Sequence, residues 1–219
     1  MSGLARRPRL AFSLALLGLL VLGSLLAPAL ATHHPNRVKL EARLLPPGQG
    51  GHLLGADVLG RDLWSRLVWG GRVSLLVAVA VVMAGATAGT LLGTFAGYLR
   101  GAFDEALMRL VDVLLAFPGI LFALILVGLL GPGVGNVIVA LSVTSWVSYA
   151  RLARGQALKV REMQYVEAAR ALGAPLHRIV IRHLVPNLLG PVVVQASLGM
   201  ASVMLAESAL SFQIGRAHV

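Results

Sequence analysis

Glu167-Ala168-Ala169-Arg170-Ala171-Leu172-Gly173, followed after nine residues by His183-Leu184-Val185-Pro186-Asn187, lies in Arg151 to Pro186, the only long polar interval in the second half of the chain. The sequence on both sides is almost continuously apolar, so this interval faces water while its surroundings read as membrane. Met163 to Leu172 holds good helix formers, and Gly173 stands where a helix ends on a residue at positive φ. Beyond it Leu176, Ile179, Val180, His183 and Leu184 recur at the spacing of one helical face, with Arg178 and Arg182 on another. Pro186 cannot continue that helix comfortably, so a turn is expected there before the chain becomes apolar again. The spacing predicts a compact helix-Gly-helix element projecting from a membrane domain, a shape suited to docking a soluble partner.

Downstream, Leu188 to Ala206 is long enough for a membrane span, with Gln195 as its one strongly polar interior residue and Glu207 at its end. Upstream, Val113 to Ala150 is too long for one crossing. Gly131-Pro132-Gly133 with Gly135-Asn136 divides it into a span ending near Leu130, kinked at Pro118, and another starting near Asn136. The latter carries Ser142, Thr144, Ser145 and Ser148. These hydroxyls are candidates to line a translocation path, although such groups also bond to their own helix backbone. Before Val113, Glu105, Arg109 and Asp112 stand four and three residues apart on one helical face. An ion relay could use such a set. Its place at the membrane boundary rather than at mid-bilayer favours a structural charge cluster.

Val73 to Leu99 contains no charge and forms a further span, with Gly85, Gly89, Gly93 and Gly97 as a four-residue stripe down one face. Glycines in strict register let another helix approach backbone to backbone, so this face is expected to be buried. Thr32 to Arg72 is polar, with an irregular first half rich in proline and glycine. In its second half Leu59, Leu63 and Leu67 share a helical spacing. Asp62 and Arg66 are paired elsewhere on that helix, and Trp64 and Trp69 are available as interface anchors, predicting an amphipathic helix on the outer surface. Leu10 to Ala31 is uncharged and follows Arg6, Arg7 and Arg9. It exceeds the usual apolar run of a signal peptide, so a retained first span is expected despite Ala29-Leu30-Ala31, which looks like a cleavage site. The expected organisation is therefore 1–31 (N-terminus and first span), 32–72 (extracytoplasmic loop), 73–212 (core membrane domain, with the docking loop at 151–186) and 213–219 (an atypical tail).

Composition agrees with a membrane protein in contact with lipid. Mean hydropathy is +0.82 and only 13% of residues are charged, outside the range of ordinary soluble domains. A net charge of +10 is compatible with nucleic-acid binding, but the cations are scattered at the ends of apolar segments, where topology and lipid headgroups place them. Twelve Lys and Arg fall in the segments assigned to the cytoplasm and six in the outer loop, which orients the N-terminus and the docking loop inward. Cysteine is absent, so there is no thiolate metal site. His33-His34 lacks a third ligand at helical spacing and reads as solvated, so no metal is expected. No phosphate-cradling Gly-x-x-x-x-Gly-Lys-Ser/Thr loop exists, and Gln195 occupies the place a nucleophile elbow around Ser197 needs for glycine. No catalytic residue is expected.

The pattern Glu167-Ala168-Ala169, three residues, Gly173, nine residues, then an ending in Pro186 resembles the EAA loop of ATP-binding cassette (ABC) importer permeases. The His183-Leu184-Val185-Pro186-Asn187 ending is similar to that of the second permease of dipeptide, oligopeptide and nickel systems. The run Gly55-Ala56-Asp57-Val58-Leu59-Gly60-Arg61-Asp62, continuing to Leu75, also resembles that family, with Ala56 where Thr is common. The resemblance covers about Gly55 to Phe212. It implies an all-α polytopic fold of the type I importer kind, with five spans present of an expected six. It further implies that the loop is a coupling helix using Glu167, Ala168, Ala169, Arg170, Gly173, His183 and Pro186. The partners implied are a second permease subunit in a heterodimer, two cytoplasmic ATP-binding subunits that carry the ATP and Mg, and an extracytoplasmic solute-binding protein, all at a bacterial inner membrane. This chain binds no cofactor of its own in that scheme.

After Phe212 the family pattern stops, and Gln213 to Val219 looks like translated adapter sequence, so a truncated gene model is expected. Two rival readings are an ion-gradient transporter using Glu105, Arg109 and Asp112, and a membrane-tethered DNA-binding regulator using the helix-Gly-helix. The second is disfavoured because such readers sit in soluble domains.

Overall fold

The computed structural model describes residues 8–216, with side chains described for 11–212. Arg6, Arg7 and Ala217-His218-Val219 lie outside the described residues, as do the side chains of Arg9 and 213–216. The described chain is all-α, with no strand and one isolated antiparallel bridge between Ala56 and Asp62. It divides into two compact units, 1–76 and 77–219.

In the first unit, α1 (Pro8–Leu25) is followed by the short α2 (Ala27–Leu30) and a loop with a single 3₁₀ turn at Leu40–Ala42. The loop leads into α3 (Leu63–Leu99), in which the boundary between the units falls. Asp62 caps α3: its Oδ2 accepts the Ser65 N–H at 2.8 Å, and its carbonyl accepts the Arg66 N–H at 3.1 Å. The loop is tight where glycine is required. Gly55 and Gly60 have φ of +80° and +71°, and a Cβ on either would strike the Leu45 or Lys39 carbonyl.

The separate amphipathic helix expected around Leu59, Leu63 and Leu67 is not present. Leu59 lies in the loop, held by its N–H on Asp57 Oδ1, and the helix from Leu63 onward is the start of the long α3. Nor does Asp62 pair with Arg66. The capping position turns its carboxylate toward Ser65 N–H and His52 Nδ1, at 2.8 Å each. Trp64 donates to the Leu30 carbonyl at 2.8 Å, and Arg72 lies over the Trp69 ring.

The second unit contains the rest of α3, then α4 (Gly101–Ala116), α5 (Gly119–Leu130), α6 (Val134–Val160), α7 (Gln164–Ala171), α8 (Leu176–Ile179), a π turn at Val180–Leu184, and α9 (Val185–Arg216). Pro118 does more than kink: α4 and α5 are separate helices bent by 88°. Gly131 and Gly133 take φ of +87° and +145° at the next turn, and Asn136 Nδ2 donates to the Leu130 and Gly131 carbonyls left open at the end of α5. No turn occurs at Pro186. Leu176–Phe212 is one continuous helix, and the π turn that ends one residue short of the proline, closed by Val185 N–H to the Val180 carbonyl, accommodates a residue that an unbroken α ladder would not. Asn187 Nδ2 takes up the His183 carbonyl at 2.6 Å.

By length and composition, α3 and Leu176–Phe212 can each cross a membrane, and the bent α4/α5 pair makes a third if it is one broken span. The expected five spans are not reached by this measure. The first apolar helix enters this measure only over Ala11–Leu25, because the side chains before Ala11 lie outside the described residues, and α6 is diluted by Asn136 and its hydroxyl residues before reaching Arg151.

The centre of the second unit is α6, against which Val111, Met108 and Leu114 of α4 pack around Val147, Ala150 and Trp146. Gly85, Gly89, Gly93 and Gly97 are buried, and all four face α6. A Cβ on Gly93 would lie 2.8 Å from the Ala150 carbonyl carbon, and one on Gly97 2.7 Å from the Arg154 oxygen. The two backbones touch along this seam.

Candidate functional site

The polar interval folds as a knuckle. α7 ends in paired bonds that define a Schellman motif: Ala174 N–H to the Ala169 carbonyl and Gly173 N–H to the Arg170 carbonyl, both 3.0 Å. Gly173 supplies the φ of +75° that the motif needs. Pro175 then caps α8, its carbonyl accepting from Arg178 and Ile179. Val166, Ile179, Val180 and Leu184 are fully buried beneath the knuckle, while Glu167, Ala168, Arg170 and Gly173 are exposed and Ala169 is half-buried. Leu172, at the tip, is 88% exposed, an apolar side chain left uncovered by the described residues. Pro186 is exposed and His183 half-buried, its ring 6.2 Å from that of Tyr165. His177 is exposed on α8.

What fixes the knuckle to the membrane helices was not read from the sequence. Tyr98, at the end of α3, lies beneath two guanidinium groups, Arg170 at 5.3 Å and Arg161 at 5.9 Å from its ring centre. Arg170 Nε also donates to the Tyr98 hydroxyl at 3.3 Å and Arg161 to the Tyr98 carbonyl at 2.7 Å. The neighbouring Arg100 pairs with Glu162 at 3.0 Å. Basic residues in the polar interval suggested only solvation and topology, and no local spacing links residue 98 to residue 170.

The charge cluster differs from the expected one. Glu105 and Arg109 are both exposed and join no ion pair among the described residues, and Asp112 pairs across to Arg151 on α6. The strongest pair is Asp104 with Arg154, bidentate at 2.6 and 2.7 Å, the aspartate side chain only 9% exposed. Asp104, Met108 and Asp112 share the α4 face that meets α6, and Arg151 and Arg154 answer at i, i+3. The sequence contained that matching, but within-helix spacing drew attention to the other face.

Elsewhere in the second unit, α6 and α9 wall an open cavity of about 330 Å³, with Val82 of α3 and the first residues of α5 completing its lining. Thr144, Ser145, Ser148 and Gln195 line it, so four of the five pathway candidates come together. Ser142 does not; its hydroxyl is buried without a hydrogen-bond partner. Tyr149 also borders the cavity, with its hydroxyl unpartnered against Gly199 of α9. The α6 hydroxyls mostly return to their own backbone, Thr144 to Leu141 and Ser148 to Ser145. Of the groups lining the cavity, Thr144 and Ser148 are thus satisfied within their own helix, whereas the Tyr149 hydroxyl is not.

One helix serves both regions. The continuous run Leu176–Phe212 begins in the knuckle and supplies Gln195, Leu198, Gly199 and Ser202 to the cavity wall.

Residues 89–217 match the family described as binding-protein-dependent transport system inner membrane component. The chain is 42% identical, over 95% of its length and 70% of the relative's, to a Brucella suis biovar 1 (strain 1330) protein provisionally named a peptide transport system permease. It is 39% identical to the dipeptide transport system permease protein of Bacillus subtilis (strain 168), over 91% of this chain and 63% of that one. The oligopeptide transport system permease protein of Escherichia coli (strain K12) is 46% identical over 76% of this chain and 55% of its own length.

Proposed function

This chain belongs to the family of binding-protein-dependent transport system inner membrane components, and we propose on that premise that it forms half of the translocation path of an ABC importer for peptides. Peptides are favoured over nickel because the similar permeases above are named for peptide, dipeptide and oligopeptide transport. In this reading a second permease subunit supplies the other half of the path. A solute-binding protein delivers cargo from outside, and two cytoplasmic ATP-binding subunits hold the ATP and Mg. The N-terminus and the knuckle face the cytoplasm.

The observation that carries the reading is the exposed α7–Gly173–α8 knuckle with Leu172 at its tip, built on the same helix that walls the cavity. An apolar tip flanked by Glu167 and Arg170 fits a groove on a soluble partner, with the leucine buried at the centre and the charges on the rim. Closure of the ATP-binding subunits displaces the knuckle. The Tyr98 grip passes the motion to α3, and the π-turn helix passes it to the wall bearing Gln195 and Gly199, opening the cavity to the outer side. The boundary pairs Asp104–Arg154 and Asp112–Arg151 keep α4 moving with α6.

The test is ATP-driven peptide uptake by the complete transporter reconstituted in vesicles. Leu172→Glu places a charge in the proposed groove and is expected to cut uptake at least about tenfold, the scale of a lost interface anchor, while membrane insertion stays intact. Gly173→Pro forbids the positive φ and is expected to do the same. Uptake at the wild-type rate in both variants would remove the coupling role.

A further inference from the structure

Three donor side chains far apart in sequence converge in the loop before α3. The ligand atoms of His33, His52 and Asp62 all lie within 4.8 Å of one another. His52 and Asp62 are 3% and 1% exposed, and His33 is half-buried. Such a grouping is not produced by any single turn or helix face, and the sequence pair His33-His34 gave no hint of a third ligand. His34 points its Nδ1 toward the Asn36 N–H instead.

Each of the three is held by other groups, as ligands in functional sites are. Asp62 Oδ2 receives the Ser65 N–H at 2.8 Å and the Thr32 hydroxyl at 3.2 Å, which leaves Oδ1 facing His52 Nδ1 at 2.8 Å. The His33 N–H is anchored on Ser65 Oγ at 3.0 Å, and its ring stacks on that of His52 at 4.5 Å. The His52 carbonyl accepts from Gly48 and Gly55. His33, His34, His52 and Asp62 border a cavity of about 10 Å³, too small for a solute and of the size of a single ion or water.

We propose that His33, His52 and Asp62 form a binding site for a divalent transition-metal ion of the zinc type, with solvent completing the coordination. Two imidazoles and one carboxylate suit Zn²⁺ and its neighbours and do not suit Ca²⁺ or Mg²⁺, which take all-oxygen shells. Tetrahedral bonds of about 2.0–2.1 Å separate ligand atoms by about 3.3 Å, so the donor atoms close by up to about 1.5 Å, and the half-buried His33 ring turns out of its stack on His52 so that the ion lies in the plane of both rings. Ligation through Nδ1 needs a neutral His52 ring with its proton on Nε2. The ion then takes the place of the hydrogen bond to Asp62. Arg37 and Lys39 share the cavity wall, and their charge makes the site weaker than closed structural zinc sites. Bound metal would tie the segment after α2 to the capping residue of α3.

The experiment uses the full chain without a histidine tag, purified in detergent, stripped with chelator and titrated with Co²⁺, whose visible d–d bands report the ligand field. One equivalent is expected to give intense tetrahedral bands that Zn²⁺ abolishes. His33→Ala, at a half-exposed position, is expected to weaken binding at least about tenfold with helicity unchanged, and His34→Ala to leave it as in wild type. Weak octahedral bands alone, no bands, or equal binding by wild type and His33→Ala would overturn the proposal. So would loss of binding in His34→Ala with retention in His33→Ala.

Discussion

Substituting Gly93 tests whether α3 and α6 meet backbone to backbone. Its added Cβ would stand 2.8 Å from the Ala150 carbonyl carbon and closer still to the oxygen, where ordinary contact starts at 3.4 Å. The helices must then part by at least the difference, 0.6 Å. Because Gly85, Gly89 and Gly97 share the seam, its contacts from Ser145 to Ala157 loosen together. Overpacking of this kind costs about 1–3 kcal/mol. Alanine recovers up to about 1 kcal/mol of that through helix propensity, whereas valine adds two methyls and loses that gain. Gly93→Val is therefore expected to be destabilised by about 3 kcal/mol and Gly93→Ala by about 1 kcal/mol. Gly155, on α6 with nothing within 4 Å of its would-be Cβ, is the control; Gly155→Ala is expected to be neutral or slightly stabilising. Thermal unfolding in detergent, followed by tryptophan fluorescence, includes Trp146 beside the seam. At about 2–4 °C per kcal/mol, Gly93→Val is expected to melt roughly 6–12 °C early. A melting point within about 2 °C of wild type, or an equal loss in Gly155→Ala, would refute the close packing.

Three further outcomes follow from named contacts. Tyr98→Leu removes the ring and hydroxyl under Arg161 and Arg170, and uptake per ATP hydrolysed is expected to fall several-fold with insertion unchanged, measured in reconstituted vesicles. Asp104→Leu leaves the half-exposed Arg154 guanidinium without its bidentate partner, costing about 1.5–3 kcal/mol, and Arg154→Met in the same chain is expected to recover most of it, read as a double-mutant cycle of melting points. In the loop before α3, burial alone would raise the Asp57 and Asp62 carboxyls. Hydrogen bonds from Arg61 and Leu59 to the first, and from Ser65, His52 and Thr32 to the second, outweigh it and hold both below 3.8, Asp62 at about 2. A depressed carboxyl stabilises the fold above its unfolded value and loses that contribution as pH falls through the folded one. For Asp62 this is about 2 kcal/mol, lost between about pH 4 and pH 2. Amide exchange over residues 52–62, corrected for intrinsic rates, is expected to quicken across that window and to hold level from pH 5 to 7; protection that grows on acidification would contradict the assignment.

The knuckle was legible because its information is local. Glu167 to Gly173 is a helix with its own stop, and the Schellman bonds need only residues 169 to 174. The glycine stripe was legible for the same reason, since period four on one helix is visible without knowing the neighbour. Contacts between distant segments were not. Tyr98 under Arg170, Asp104 with Arg154, and His33 with His52 and Asp62 depend on helices and loops meeting in space, and each residue alone has an ordinary explanation. Pro186 misled in another way. A proline after a short helix reads as a stop, but a π turn one residue earlier absorbs it, and nothing in the composition of Val180 to Leu184 distinguishes a π turn from an α turn. Three leucines at helical spacing suggest a helix across the end of the loop before α3, whereas Asp62, three residues before Ser65, is a cap that sets the true start at Leu63.

The central claim is that energy enters this chain through the knuckle tip, and it is open to one direct measurement. The chain has no cysteine, so Leu172→Cys creates a single thiol, and a short crosslinker to cysteines placed around the groove of the cognate ATP-binding subunit reads contact without background. In assembled membranes the account predicts one crosslinked species, permease with ATP-binding subunit, and no labelling of Leu172→Cys in intact cells by a membrane-impermeant thiol reagent. No crosslink at any groove position, or labelling from the outside, would contradict it.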